Sequence, residues 1–416
     1  MPERVVDGLP RAFAELAAEL DERDPLAGHR AEFVLPDGVV AYLDGNSLGR
    51  PLTVTRDRLT AFVDGEWGER LIRAWDERWM DRPTVVGDLI GRAVLGAAPG
   101  QTVVGDSTTV LLYKLVRAAV DARPGRSEII ADTENFPTDR FVLARVAAET
   151  GRTVRWIEPD PGTGVQPAEV AELLSDRTAL VLLSHVAYKS AYIADLPAIT
   201  AAARDAGALV LWDLSHSAGV VEVGLDAAGV DLAVGCGYKF LNGGPGAPAF
   251  GYVAERLHAE FVQPITGWMG SADPFAMGPD YVPARGIRRF LSGTPPILGM
   301  IPVEDMLALI ERAGLPAIRE KSVLLTEYAV AVADEVLAPL GVVVASPREP
   351  RRRGAHVTLE HEAMRSAVEE LWRRGIIPDF RPARGLRIGL SPLSTSFAEL
   401  ATALAHLRQI LAARVR

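Results

Sequence analysis

From residue 127 to residue 253 the chain alternates short β-branched or apolar runs with stretches whose apolar positions recur at helical spacing. That alternation is the sequence form of strand–helix–strand units around a mostly parallel sheet. It predicts strands at Ser127–Asp132, Thr153–Glu158, Ala179–His185, Ala208–Asp213, Leu232–Gly235 and Ala249–Val253. Helical stretches fall between them, among them Pro167–Ser175 and Leu196–Ala206, the second closed by Gly207 just past its end, where glycine is favoured. The strands are apolar on both faces, as expected where helices cover a sheet on both sides, so an α/β core is predicted. After about residue 300 the pattern changes. Helices are predicted at Pro302–Ala313, Leu315–Leu337, Ala363–Arg374 and Phe397–Ala412, with short strands around Val342–Ala345, His356–Glu360 and Leu386–Leu390. This block reads as a separate α+β unit, and Arg351, Arg352 and Arg353 beside Pro347 and Pro350 read as a solvated loop.

The length of 416 residues exceeds the ~250–300 at which one hydrophobic core stops growing, which agrees with a large unit plus a smaller one. A formal net charge of −10 offers no general attraction to phosphate backbones or anionic lipid, so neither nucleic acid nor a membrane is an expected partner. The N-terminus lacks the apolar core of a secretory signal, and no run approaches the ~20 apolar residues that span a bilayer. The single cysteine, Cys236, forms no internal disulfide. A cytoplasmic protein is expected.

Common hydrolase and nucleotide-binding signatures are absent, and the histidines show no helical i, i+4 pair; His356 and His361, five apart across a strand end, make a poor metal site, and none is expected. Two segments stand out at the ends of apolar strands: Trp212-Asp213-Leu214-Ser215-His216, and Tyr238-Lys239 followed by Phe240-Leu241-Asn242-Gly243-Gly244-Pro245-Gly246. In an open α/β sheet the carboxyl ends of the strands face the ligand crevice. A lysine there can form a Schiff base and a neighbouring carboxylate can keep a pyridine nitrogen protonated, as a pyridoxal phosphate (PLP) site requires. A lone lysine reads more simply as solvated or ion-paired; its place before Gly-Gly-Pro-Gly, suited to close backbone approach, shifts the reading towards chemistry. Gly105-Asp106-Ser107-Thr108-Thr109 precedes a helical pattern and offers either a phosphate site or an ordinary cap. Asn135-Phe136-Pro137-Thr138-Asp139 offers an aromatic face beside a carboxylate, or simply a helix start.

With these motifs in view the chain resembles the kynureninases, PLP-dependent hydrolases of the fold type I aminotransferase superfamily, in their bacterial form. The likeness runs from Tyr42-Leu43-Asp44-Gly45-Asn46-Ser47-Leu48-Gly49 through Glu66-Trp67-Gly68, Leu71-Ile72-Arg73-Ala74-Trp75, Leu183-Ser184-His185-Val186, Gly267-Trp268 and Gly293-Thr294-Pro295-Pro296 to Arg387-Ile388-Gly389-Leu390-Ser391-Pro392-Leu393, besides the segments above. The resemblance implies a large PLP-binding domain at 51–300, a small α+β domain at 301–416 and an N-terminal segment, 1–50, packing with the small domain. It implies that Lys239 carries the cofactor and moves the Cα proton, with Asp213 on the pyridine nitrogen, His216 close by and Tyr238 also catalytic. Phe136 would stack on the ring, Thr108, Thr109 and Tyr238 would hold the phosphate, and Asp139 and Ser184 would complete the pocket. Trp268 and Thr294 would reach the phosphate of the other subunit of a homodimer with shared sites. Arg387 would clamp the substrate α-carboxylate as a bidentate fork, and Asn46 and Trp75 would sit near its side chain. The implied reaction is hydrolytic Cβ–Cγ cleavage of kynurenine to anthranilate and L-alanine, in tryptophan catabolism and NAD biosynthesis.

Two departures bear on the substrate. Gly267-Trp268-Met269-Gly270-Ser271 stands where the family commonly has a second aromatic and a histidine, and Ser394 follows Pro392-Leu393 where it usually has tyrosine. Either the pocket is widened for a ring-substituted kynurenine of specialised metabolism, or these positions repack without effect on specificity. An aminotransferase would use the same Lys239, Asp213 and Arg387. A cysteine desulfurase is disfavoured because Cys236 sits on a buried strand, and a non-catalytic PLP-binding regulator because nearly the whole chain is used by the resemblance.

Overall fold

A computed structural model describes residues 8–160, 162–276 and 278–414. Its first elements are α1 (Arg11–Glu22), the short strand β1 (Ala41–Tyr42), α2 (Thr53–Ala61) and α3 (Arg82–Ile90). A seven-stranded sheet follows: β2 (Thr102–Gly105), β3 (Glu128–Asp132), β4 (Thr153–Ile157), β5 (Thr178–Ser184), β6 (Leu209–Asp213), β7 (Leu232–Cys236) and β8 (Ala249–Val253). Its order is β2-β8-β7-β6-β5-β3-β4, parallel throughout except where β8 pairs antiparallel with both β7 and β2. Interleaved with it are α4 (Thr108–Asp121), α5 (Pro137–Thr150), α6 (Pro167–Leu173), α7 (Leu196–Asp205) and α8 (Leu225–Ala228).

Six of these strands fall within two residues of the sequence expectation; the central ones are buried from both sides, with every residue of β6 and of β7 buried, whereas the edge strand β4 buries only Ile157. Local chemistry sets the helix ends. Asp195 accepts from the Ala198 N–H to start α7, and Gly207 takes φ +69° just beyond its end. β2 was not anticipated from the sequence. Two helices follow the sheet, α9 (Ile297–Ala313) and α10 (Leu315–Val332). α9 begins five residues earlier than expected and holds Pro302 inside it; the missing N–H removes one backbone bond, and Met300, Val303, Met306, Leu307, Leu309 and Ile310 offset that by burial in the core around the sheet. A π-turn, Ala333–Leu337, continues α10, so the single helix expected to Leu337 changes its winding after Val332.

The remaining strands are β9 (Val343–Val344), β10 (His356–Glu360), β11 (Ile376–Ile377), β12 (Asp379–Arg381) and β13 (Gly385–Gly389), with helices α11 (Met364–Arg373) and α12 (Phe397–Ala412). β12, β13, β10 and β9 form an antiparallel sheet in that order, and β1 pairs parallel with β11. Two large apolar cores result. One surrounds the seven-stranded sheet and includes α9; the other gathers Leu325 onwards together with Phe13, Ala17, Ala41 and Leu43 from the N-terminal segment. Of that segment, residues 1–7 lie outside the described residues.

Candidate active site

The carboxyl ends of β3, β5, β6 and β7 deliver the chemistry-bearing residues to one place. Asp213 ends β6 and stands in register with Ser184, the last residue of β5. Lys239 lies three residues beyond β7 and is buried. Its Nζ is 3.0 Å from His216 Nε2, 5.7 Å from the centre of the Phe136 ring and 6.0 Å from that of Tyr238. The Phe136 ring meets the edge of Tyr188 at 5.3 Å. Asn135 Oδ1 gathers this side of the site by accepting from Ser184 Oγ at 2.6 Å and from the Phe136 N–H at 2.8 Å. The N-terminal motif docks on the lysine loop: Gly49 N–H donates to the Tyr238 carbonyl at 2.9 Å, and a Cβ on Gly49 would lie 2.4 Å from the Lys239 carbonyl oxygen. Only glycine fits that approach.

Asp139 is in the first turn of α5, as an ordinary helix start would have it, and its carboxyl is also turned in on Asp213. Burial raises its pKa well above the usual carboxylate range, the Asp213 carboxylate raises it further, and Lys239 pulls the other way. Two buried carboxylates in contact either share a proton or receive a positive N–H from elsewhere. Asp139 Oδ2 and Asn135 Nδ2 are buried without partners. This donor set fits PLP: a pyridinium N–H would meet the carboxylate pair, Phe136 offers a ring face, and the amine is within reach. For the phosphate, α4 begins at Thr108 behind the Ser107 cap, whose Oγ accepts from the Val110 N–H. Asp106, at φ +50°, takes Lys114 Nζ at 2.5 Å beside it. Tyr238 is pushed up by burial first, then by Cys236 and Asp213, so its phenol keeps its proton.

Arg387, on β13, is 1% exposed and already engaged. Its Nη1 donates to the Tyr188 carbonyl at 2.8 Å, and its Nη2 to Ser47 Oγ at 2.7 Å and Asp379 Oδ2 at 2.8 Å. Asn46, with its amide oxygen towards the guanidinium, accepts from Nε at 3.0 Å and donates to Asp44 at 3.3 Å. Burial and the neighbouring Arg381 push the Arg387 pKa down to about 10, while burial pushes Asp44 up to about 6. The guanidinium to which the resemblance assigns the substrate carboxylate is therefore engaged within the chain, and a substrate carboxylate would have to take over positions that Asp379 and Ser47 hold.

Trp268 meets Trp75 at 6.4 Å and Phe275 at 6.1 Å, and Thr294 is exposed. Met269 is sealed in the first core, and Ser394 lines a narrow crevice with Phe33, Phe240, Asn242 and Leu393. A cavity of ≈ 260 Å³ lies between the two cores; Asn135 and Ser184 form part of its wall, but Lys239 and Asp213 do not. Among the described residues no cluster of three or more His, Cys, Asp or Glu is arranged for a metal ion, and no helix is long and apolar enough to cross a membrane. Sequence reasoning missed Tyr188, Ser47, Asp379 and the His356 ring, which lies 5.5 Å from that of His216. Ser47 lies within a quoted motif that assigns it no role, and His356 reads in the sequence only as a poor metal ligand; Asp379 carries no signal.

A family profile described as the kynureninase C-terminal domain matches residues 318–407. The kynureninase of Burkholderia pseudomallei (strain 1106a) is 41% identical over 404 residues, 95% of each chain, and that of Pseudomonas fluorescens is 39% identical over 399 residues, 94% of each. Among solved structures, a cysteine desulfurase of Thermococcus onnurineus NA1 superposes with a TM-score of 0.81 at 20% identity, covering 94% of this chain and 99% of that one. A cysteine desulfurase of Escherichia coli does so at 0.78 and 18%, covering 94% and 98%. The solved structures share the fold, whereas the sequence relatives share both fold and length at an identity that only common descent explains. The chain belongs to the kynureninase family.

Proposed function

We propose that this protein is a PLP-dependent hydrolase that cleaves the Cβ–Cγ bond of L-kynurenine, or of a ring-substituted kynurenine, to an aryl acid and L-alanine in tryptophan catabolism. The observation that carries the reading is the buried Lys239 amine held between His216 Nε2 and the Phe136 face, beside the paired carboxylates of Asp213 and Asp139. When bound, PLP supplies an electron sink that makes the amino acid's Cα proton acidic and holds the electrons of the breaking bond. The chain's own residues do the rest. Lys239 Nζ removes and returns the proton at Cα, and His216 orients that amine. Asp213 accepts the ring N–H, with Asp139 as its neighbour in a dry environment where the charge pair is strong. The α4 N-terminus with Thr108 and Thr109, together with Tyr238, binds phosphate. Arg387 takes the α-carboxylate in place of Asp379 and Ser47, with Asn46 fixing its Nε. Water adds to the side-chain carbonyl, the Cβ–Cγ bond breaks, and Cβ takes a proton, so that one water is consumed for each pair of products.

A homodimer completes the site in this reading. It is supported by an exposed apolar strip in which Trp67, Leu71 and Ile72 are 50%, 58% and 77% exposed and the Trp75–Trp268–Phe275 rings touch in series. Trp268 and the exposed Thr294 would serve the partner's phosphate.

The test mixes purified protein and PLP with L-kynurenine and, separately, 3-hydroxy-L-kynurenine, following the aryl acid and L-alanine. Equal release of both products, abolished in a folded Lys239→Ala variant, is expected. Turnover that requires a 2-oxo acid would make the protein an aminotransferase, and retained hydrolysis in Lys239→Ala would remove the lysine from the chemistry.

A further inference from the structure

Three ring nitrogens are buried beside the Lys239 amine without a hydrogen bond of normal geometry: His216 Nδ1 and both nitrogens of His356. Native interiors leave few such atoms. His356 opens β10 beside the second core, whereas His216 follows β6 in the first. Their rings lie 5.5 Å apart, centre to centre, at 57° to one another. An N–H···N bond of ~3 Å sets two imidazole centres about 5 Å apart, so a small closing motion brings the pair into direct contact.

Both rings are held neutral. Burial is the largest cause for each, followed by Lys239 for His216 and by Arg387 for His356, and Arg381 acts on both in the same sense. Against this, a weak hydrogen bond from the His356 ring to the Lys189 carbonyl, outside the normal geometry, favours the protonated form of His356. With the Lys239 amine as the donor in the 3.0 Å contact, His216 Nε2 is the acceptor and the ring proton stands on Nδ1. Neutral His356 carries one acceptor nitrogen opposite it.

We propose that His356 is a positioning residue: it accepts the His216 Nδ1–H and so holds His216 in the tautomer whose Nε2 receives the Lys239 amine. The proposal rests on Lys239 being the reacting amine. Because His356 belongs to the second sheet, the orientation of the lysine then depends on how that sheet is seated against the first.

Nitrogen-15 NMR of the seven histidines in protein without added cofactor reads the His216 tautomer directly, its signal identified by loss in His216→Asn. The parent protein and His356→Gln, whose amide oxygen still accepts, are expected to show the Nδ1–H form; His356→Leu is expected to lose that single form. With PLP and kynurenine, His356→Leu is expected to lower kcat about tenfold at nearly constant KM, and His356→Gln to restore it. The same tautomer and the same kcat in the Leu and Gln variants would overturn the proposal while leaving the role of Lys239 intact. Turnover in Lys239→Ala would instead remove the reading beneath it, with the His216 tautomer unchanged.

Discussion

His185 follows Ser184 directly after β5 and is sealed in the interior, with Nδ1 2.9 Å from Ser217 Oγ. Burial, with Arg319 adding to it, pushes its pKa from 6.5 down to about 4. Below pH 6.5 the unfolded chain takes up a proton there that the folded chain refuses. Its contribution to stability is thus fully present above pH 6.5 and is lost as pH falls towards 4. Relative to the parent, a His185→Gln variant is expected to lose less stability between pH 7 and pH 4, by on the order of 3 kcal/mol at the acid end. Urea melts at both pH values measure this, and parallel declines would exclude His185 as a source of acid sensitivity. At this scale the sequence was readable where a functional group ended an apolar run, as Asp213 and Lys239 do. It was unreadable where a partner came from a distant segment: Arg387 carries no hint that Tyr188, Ser47 and Asp379 surround it.

α12 shows how an element end joins the two termini of the described chain. Ser396 Oγ accepts from the Glu399 N–H while Glu399 Oε2 accepts from the Ser396 N–H, and Asp21 of α1 accepts from the N–H groups of Phe397 and Ala398 at 2.8 and 2.9 Å. Ser396→Ala is expected to destabilise the fold by about 1 kcal/mol without changing KM, read by thermal or urea unfolding. No change would mean that Asp21 alone suffices as a cap. Ser396 before Phe397 and Glu399 is a local signature, which is why the predicted limits of α12 match the structure. β2 lacks such a signature: four residues, Thr102–Gly105, too short for periodicity to register, become a strand because β8 offers an antiparallel edge. Pro302 misled the prediction of α9 in the opposite sense, since a local breaker was overridden by tertiary burial.

For the whole molecule, the exposed strip around Leu71 and Ile72 sets the expectation of assembly. A patch of this kind on a soluble chain marks a contact surface. The parent protein is expected to sediment at twice 44.7 kDa, and the double variant Leu71→Asp, Ile72→Asp at the monomer mass with hydrolysis strongly reduced. A parent that sediments as a monomer would require Trp268 and Thr294 to be excused from the site. The α/β order of the large unit was legible because each strand is a local run. The seating of the second sheet on the first was not, since it depends on contacts between segments hundreds of residues apart.

That separation has a consequence for how the chain is made. β1 pairs with β11, the Leu43 carbonyl receives the Gly389 N–H, and Asn46 meets Arg387. Residues 41–46 therefore meet these partners only after more than 300 further residues have been added, an interval of tens of seconds at ~5–20 residues per second. Throughout it, Ala41 and Leu43 have no core to enter, while the seven-stranded sheet, whose members are all at hand earlier, is free to form. The Arg387 end of the site is then finished last, when β11 and β13 capture residues 41–46 beside a lysine loop that Gly49 can already reach.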